Sequence, residues 1–198
     1  MSGSDISIHG KVEIEEGKIA GVYQIHLHPK RDDRGFFMRT YDKTIFEKFD
    51  LKKTWIQENH SLSIHTNTLR GLHFQMPPFT ETKLIRCIKG KIWDVFADLR
   101  CGSSTFGQWD AVELSEDESK MLLIPKGLAH GFLTLQDNCE VLYKVDNPYT
   151  PEFESGIIWN DPDLDIAWPL TEEPILSDKD ARNQSFKAFI KEKRCVKV

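Results

Sequence analysis

The chain has 198 residues, 39% of them hydrophobic and 29% charged, with a formal net charge of −5 at neutral pH. That balance fits one soluble globular domain over residues 1–198 and lacks the basic excess on which nucleic-acid binding depends. No uncharged run approaches the roughly 20 residues of a membrane helix, so neither a nucleic-acid nor a membrane partner is expected.

From the N-terminus, residues 1–10 show no basic stretch followed by an apolar one, and a secretory leader is not expected. Residues 43–49 favour a short helix. Short runs rich in Val, Ile, Phe and Trp, broken by Gly, Pro, Asn and Asp, then fill the middle of the chain, the pattern of an all-β sandwich or barrel. Residues 84–88 and 92–99 flank Lys89-Gly90 and read as a hairpin of two central strands, apolar at most positions. Glu113-Leu114-Ser115 closes a further strand, residues 121–124 open the next, and residues 131–135 and 140–145 read as a second hairpin. The tail over residues 179–193 favours helix, with Phe186, Phe189 and Ile190 at i, i+3, i+4, the spacing of a packing stripe. From Cys195 onward disorder is expected. Cys87, Cys101, Cys139 and Cys195 are widely spaced with no Cys-x-x-Cys pair, which predicts reduced thiols and a cytoplasmic location.

The chemistry-bearing residues concentrate in Arg70-Gly71-Leu72-His73-Phe74-Gln75, in Lys83, and in Pro125-Lys126-Gly127-Leu128-Ala129-His130. The arrangement is similar to the metal site of cupins: a His-x-His pair, a Glu about ten residues after the first His, and a Pro-x-Gly-x-x-His turn. Here the four ligand positions are His73, Gln75, Lys83 and His130. An ammonium repels a cation and an amide is a poor replacement for imidazole at a transition metal. No metal and no cofactor are therefore expected, and the pocket should hold organic chemistry. On strands, His73 and Gln75 share one face, as do Lys83, Ile85 and Cys87. A lysine in an apolar strand needs an anion beside it; Asp94, across the Lys89-Gly90 turn, is the nearest candidate, ahead of Asp98. Taken singly, His73 and Tyr143 also fit ordinary core residues, and Lys83 a structural ion pair.

Arg70 to Gln75, Lys83-Leu84-Ile85-Arg86, residues 124–132, Leu142-Tyr143-Lys144, Tyr149, Trp159-Asn160-Asp161-Pro162, Ile166-Ala167-Trp168-Pro169 and Leu176-Ser177-Asp178-Lys179-Asp180 occur in that order. Together they resemble the dTDP-4-dehydrorhamnose 3,5-epimerase family over about residues 21–180. The resemblance implies a cupin jelly-roll barrel with a few short helices, one of them C-terminal, working as a homodimer without cofactor. The implied substrate is a nucleotide-linked 4-keto-6-deoxyhexose, and the implied reaction is inversion at C3 and C5, an isomerase activity. His73 is similar to the family's base, Asp180 to the carboxylate that orients it, with Asp178 the competing assignment, and Tyr143 to the acid on the opposite face. Lys83, held protonated by Asp94, would stabilise the enolate oxygen.

By the same resemblance Arg70 would meet the pyrophosphate, with Gln57, Asn59, Tyr149 and His130 as further substrate contacts. Arg34, Phe37 and Arg39 lie on an early segment that in the family reaches the neighbouring subunit's site. The chain departs from the family where Arg39 stands in place of a Glu, Phe74 in place of a common Tyr, and Ile64-His65-Thr66-Asn67-Thr68 in place of a Lys-x-Gly stretch. Those departures leave open inversion at a single carbon, a different nucleotide such as CDP, or a non-catalytic cupin that binds sugar nucleotides.

Overall fold

The structure, a computed structural model, describes residues 7–9, 12–193 and 195–198; most of the leader segment considered above lies outside them. The described residues form fourteen strands and two α-helices, as the all-β expectation requires. In chain order these are β1 (Ser7–His9), β2 (Val12–Glu16), β3 (Tyr23–Leu27), β4 (Lys30–Asp32), β5 (Gly35–Phe37), α1 (Lys43–Lys48), β6 (Gln57–Ser63), β7 (Leu69–Gln75), β8 (Lys83–Lys89), β9 (Lys91–Asp98), β10 (Trp109–Ser115), β11 (Lys120–Ile124), β12 (Leu128–Thr134), β13 (Cys139–Val145), β14 (Glu154–Gly156) and α2 (Phe186–Lys193).

A seven-stranded sheet in the order β1-β2-β3-β11-β8-β13-β6 and a five-stranded sheet in the order β10-β9-β12-β7-β14 are each antiparallel throughout. Side chains from both close a shared core: Ile85, Leu122 and Val141 of the larger sheet cluster with Phe96, Leu114 and Phe132 of the smaller. Burial of such apolar side chains, about 1.5–3 kcal/mol each, is what holds one sheet over the other. Strands β4 and β5 stand apart as a two-stranded arm that leaves Phe36 and Phe37 exposed.

Two expected hairpins are corrected by this topology. β8 and β9 lie in different sheets, as do β12 and β13, so the Lys89-Gly90 turn carries the chain across the sandwich instead of back along a neighbour. Alternating hydrophobicity identifies a strand and its inward face; it carries no information on which strand lies alongside. Gly90, at φ +75°, makes the corner, and a Cβ there would stand 2.7 Å from the Cys139 sulfur.

Helix α1 matches its expected span; the Asp42 carboxylate caps it by accepting from the Thr44 amide, and Phe46 plugs it into the core. The tail helix is shorter than expected. Asp180–Arg182 forms a single 3-10 turn, Asn183 is extended at ψ 150°, and α2 begins only at Phe186, whose amide donates to the Asp161 carboxylate at 2.8 Å. Phe186 and Phe189 are buried as the stripe predicts, with the Phe189 ring edge-on to Phe74 at 5.4 Å, whereas Ile190, the third member of the expected stripe, is exposed.

The expected disorder beyond Cys195 is overturned. Val196 is fully buried, its amide donates to the Leu99 carbonyl, and Cys195 is joined to Cys101 in a disulfide with the Cα atoms 5.0 Å apart. This also corrects the expectation that all four thiols are reduced: a separation of 94 positions hid a pairing that the fold creates. Cys87 and Cys139 are free and buried. No helix among the described residues is long and apolar enough to cross a membrane.

Candidate active site

Strands β7 and β12 pair so that His73 lies directly opposite His130. In the facing sheet, β8 and β13 set Tyr143 opposite Ile85 and Lys83 opposite Val145. The two-residue period brings Lys83 and Tyr143 to the same face, toward the other sheet. All four side chains line one cavity of about 300 Å³, together with Arg70, Glu81, Tyr149, Glu154, Ser177, Lys179 and Asp180. The cavity therefore has an imidazole wall from one sheet and a phenol-and-ammonium wall from the other.

The imidazole wall depends on a close strand approach. Gly71 has φ +116°, and a Cβ on it would lie 2.5 Å from the Gly131 Cα and 2.7 Å from the His130 carbonyl oxygen. Only glycine lets β7 run this near β12. His73 Nε2 lies 2.5 Å from Asp180 Oδ1, while the other oxygen of Asp180 accepts from the Ser177 hydroxyl at 2.9 Å. Burial alone would raise the Asp180 pKa; the hydrogen bond and charge of His73, with help from Ser177 and the Gly71 amide, outweigh it and hold the acid below its ordinary range. A carboxylate fixed this way orients the imidazole and stabilises its protonated form. Asp178, the competing assignment, is exposed and interacts with Arg182.

Lys83 is buried, but its partner is not the one expected. Its Nζ lies 3.2 Å from Glu81 Oε1, whereas Asp94 gives both oxygens to His130 Nε2 at 3.0 Å. The reason is topological: because β8 and β9 belong to opposite sheets, Asp94 is paired across the ladder with Val112 and Phe132, and Lys83 with Ile124 and Val145. Asp98 is likewise engaged elsewhere, by Arg100, Ser103 and Thr105.

The Tyr143 phenol is pushed above its ordinary pKa, first by burial and then by the negative charge of Glu81, with Arg70 opposing. It stays a proton donor well past neutral pH. At the rim the Tyr149 hydroxyl donates to Glu154 at 2.6 Å, which pushes its own pKa up to about 12, and Lys179 pairs with the other oxygen of Glu154 at 2.5 Å.

At the four cupin ligand positions, the donors are already committed. His73 meets Asp180, His130 meets Asp94 and Lys83 meets Glu81, while Gln75 donates to the Phe79 and Pro148 carbonyls and accepts from the Thr150 amide. This lining is a set of polarised acid–base pairs, with an ammonium where a cation ligand would have to be.

Of the residues expected to contact substrate, Arg70, His130 and Tyr149 line the cavity. Arg70 is braced by the Ser63 hydroxyl and the Leu62 carbonyl. Gln57 and Asn59 lie outside it on the edge strand β6, where Gln57 fixes Tyr149 by accepting from its amide at 2.7 Å and Asn59 is laddered to Tyr143. Arg34 folds back on Asp32, and Phe37 and Arg39 border a second cavity of about 240 Å³ beside α1. Within one chain the arm is thus separate from the His73 pocket.

Sequence reasoning missed Glu81, Ser177, Glu154 and Lys179 as pocket residues. Glu81 had a readable signal, standing two positions before Lys83, although a carboxylate preceding a strand is usually solvated. Ser177 and Lys179 sat inside a quoted motif with no chemistry attached to them.

Comparison with known proteins identifies the family and the fold. The family model described as dTDP-4-dehydrorhamnose 3,5-epimerase matches residues 16–188. The dTDP-4-dehydrorhamnose 3,5-epimerase of Salmonella typhimurium is 48% identical over 158 residues, 78% of this chain and 86% of that protein. Among solved structures, the dTDP-4-dehydrorhamnose 3,5-epimerase of Bacillus anthracis with TDP and PPi bound superposes with a TM-score of 0.86 at 43% identity, covering 88% of this chain and 99% of its own. The dTDP-6-deoxy-D-glucose-3,5-epimerase of Legionella pneumophila, in complex with dTDP-4-keto-L-rhamnose, gives a TM-score of 0.85 at 37% identity, over 89% and 93% of the two chains.

Proposed function

Because the chain belongs to the dTDP-4-dehydrorhamnose 3,5-epimerase family, a family of cupin-like jelly-roll isomerases, we propose that its pocket inverts C3 and C5 of a dTDP-linked 4-keto-6-deoxyhexose through His73 and Tyr143. The ketone at C4 acidifies the hydrogens on both flanking carbons. His73, oriented by Asp180, removes one such proton from one face of the ring, and the electron pair moves onto the C4 oxygen as an enolate. Lys83 offers its ammonium to that oxygen. Tyr143 returns a proton to the carbon from the other face, and both side chains regain their starting protonation by exchange with water. Each inversion moves one proton off carbon and one on, so no redox partner enters the balance.

The observation that carries this reading is that the imidazole and the phenol come from opposite sheets and meet across one cavity, with Lys83 buried on its wall. A phenol held protonated by burial suits a donor to a basic enolate. Arg70 at the same cavity fits a pyrophosphate, since a guanidinium meets phosphate oxygens in pairs. The exposed arm carrying Arg34, Phe37 and Arg39 belongs, in this reading, to the nucleotide end of a second copy's pocket; its exposed phenylalanines and its distance from the His73 pocket support that.

Incubation with a dTDP-4-keto-6-deoxyhexose in deuterated water is the test. Deuterium at both C3 and C5 is the expected result. Label at one carbon alone would reduce the activity to single-carbon epimerisation, and none at either would replace the enzyme by a binding protein.

A further inference from the structure

Resting on the enolate reading above, we propose that Glu81 is a positioning residue of the reaction: it is the counter-charge that holds the Lys83 ammonium in the pocket and balances it until the enolate forms. Lys83 has one carboxylate within 4.0 Å among the described residues, and it is Glu81, at 3.2 Å with both side chains nearly buried. Asp94, on the facing sheet, gives both carboxylate oxygens to His130 instead. Glu81 is itself fixed, because its second oxygen accepts from Gln75 Nε2 at 2.8 Å, and Gln75 is anchored to the chain at Phe79, Pro148 and Thr150.

A buried ammonium without an anion would leave the pocket or lose its proton. With Glu81 in place the pair is neutral overall, so the empty pocket tolerates it. When charge develops on the sugar oxygen, the ammonium lies between two anions and stabilises the new one without having to be recruited from water. The same carboxylate acts on the acid of the reaction, since its charge contributes to the raised pKa of Tyr143. One side chain thereby tunes two catalytic groups of the same sheet while touching neither the sugar carbons nor the base.

Glu81→Gln isolates the charge, because the amide oxygen still accepts from Gln75 while the counter-ion is lost. The expected result is a fall in kcat of about 10–100-fold, the span usual for groups that orient a reacting side chain, with KM within about twofold. The alkaline limb of the pH profile should move to lower pH, because Tyr143 loses a negative neighbour. Glu81→Asp, which keeps the charge, should recover most of kcat and also serves if the amide variant folds poorly. In a Lys83→Met background, Glu81→Gln should add little, since the two act as one unit. An unchanged kcat and alkaline limb in Glu81→Gln, with Lys83→Met impaired, overturns the role of Glu81 alone. A loss that multiplies in full with that of Lys83→Met overturns it too. Full activity in Lys83→Met would sink the enolate reading together with this inference.

Discussion

His73 and Asp180, 107 positions apart in the chain, meet with 2.5 Å between Nε2 and Oδ1, at the first residue of a 3-10 turn. The carboxylate is held ionised, so it serves as a fixed negative partner throughout the neutral range. Asp180→Asn keeps the shape but loses that charge, and kcat should fall by as much as about 10⁴-fold, the loss seen when the acid of a His–Asp pair is neutralised. Steady-state rates measured beside a thermal melt will separate this from simple unfolding. An activity within about threefold of the parent would contradict the dyad.

The two walls of the pocket should come apart in an exchange experiment. His73→Ala is expected to abolish deuterium uptake at both carbons, because no base remains to remove the proton. Tyr143→Phe should leave some uptake on the base's face while inverted product falls away. Equal exchange and product in either variant would contradict the assignment of base and acid.

Arg70 should act on binding. Charge-assisted hydrogen bonds contribute about 1.5–3 kcal/mol each, so Arg70→Ala should raise KM by about 10–100-fold for a pyrophosphate-bearing substrate and raise the Kd for free TDP in parallel. An unchanged Kd by calorimetry would remove Arg70 from the nucleotide site.

Asp98 sets a limit on acid stability. Although it is buried, hydrogen bonds from Arg100, Ser103 and Thr105 bring its pKa down to about 2, against about 3.9 for a free carboxyl. Its folded pKa is depressed, so its contribution, about 2 kcal/mol, is full above about pH 4 and is lost as pH falls toward 2. Urea melts at a series of pH values should show Asp98→Asn less stable near neutrality, with the gap to the parent closing through that window. A gap independent of pH would mean that packing, not ionisation, is responsible.

The Cys101–Cys195 bond closes a long stretch of chain and anchors the residues behind α2. Bonds of this kind are typically worth about 2–4 kcal/mol, so a reductant or Cys195→Ser should lower Tm by roughly 4–16 °C. Mass spectrometry before and after reduction will count the thiols. Four free thiols in the untreated protein would show that the bond does not form in solution.

Much of the site was legible because its chemistry is strand-borne. On a strand, spacing by two fixes the face, so His73 and Lys83 could be assigned to an interior from their neighbours alone. The family resemblance then supplied Tyr143 and Asp180, which no local pattern connects to His73. What could not be read was pairing between distant segments. The choice of Glu81 over Asp94 as the partner of Lys83 turns on which sheet β9 joins, and the bond between Cys101 and Cys195 on where the tail returns. Both are long-range outcomes of the topology, invisible to a window of a few residues. The tail helix failed for a smaller reason: Asn183 adopts an extended conformation inside an otherwise helical stretch.

The contact between Gly71 and Gly131 limits how this pocket can change. With a backbone Cα filling the space that any side chain at position 71 would need, the distance between the strands bearing His73 and His130 cannot be widened by single substitutions that keep the pair intact. New sugars must be admitted by trimming or enlarging the groups at the mouth, Tyr149, Glu154 and Lys179 among them, while the proton-transfer floor stays at constant gauge. A library built on the rim should therefore yield altered substrate range, and one built on the Gly71 strand should yield chiefly inactive protein.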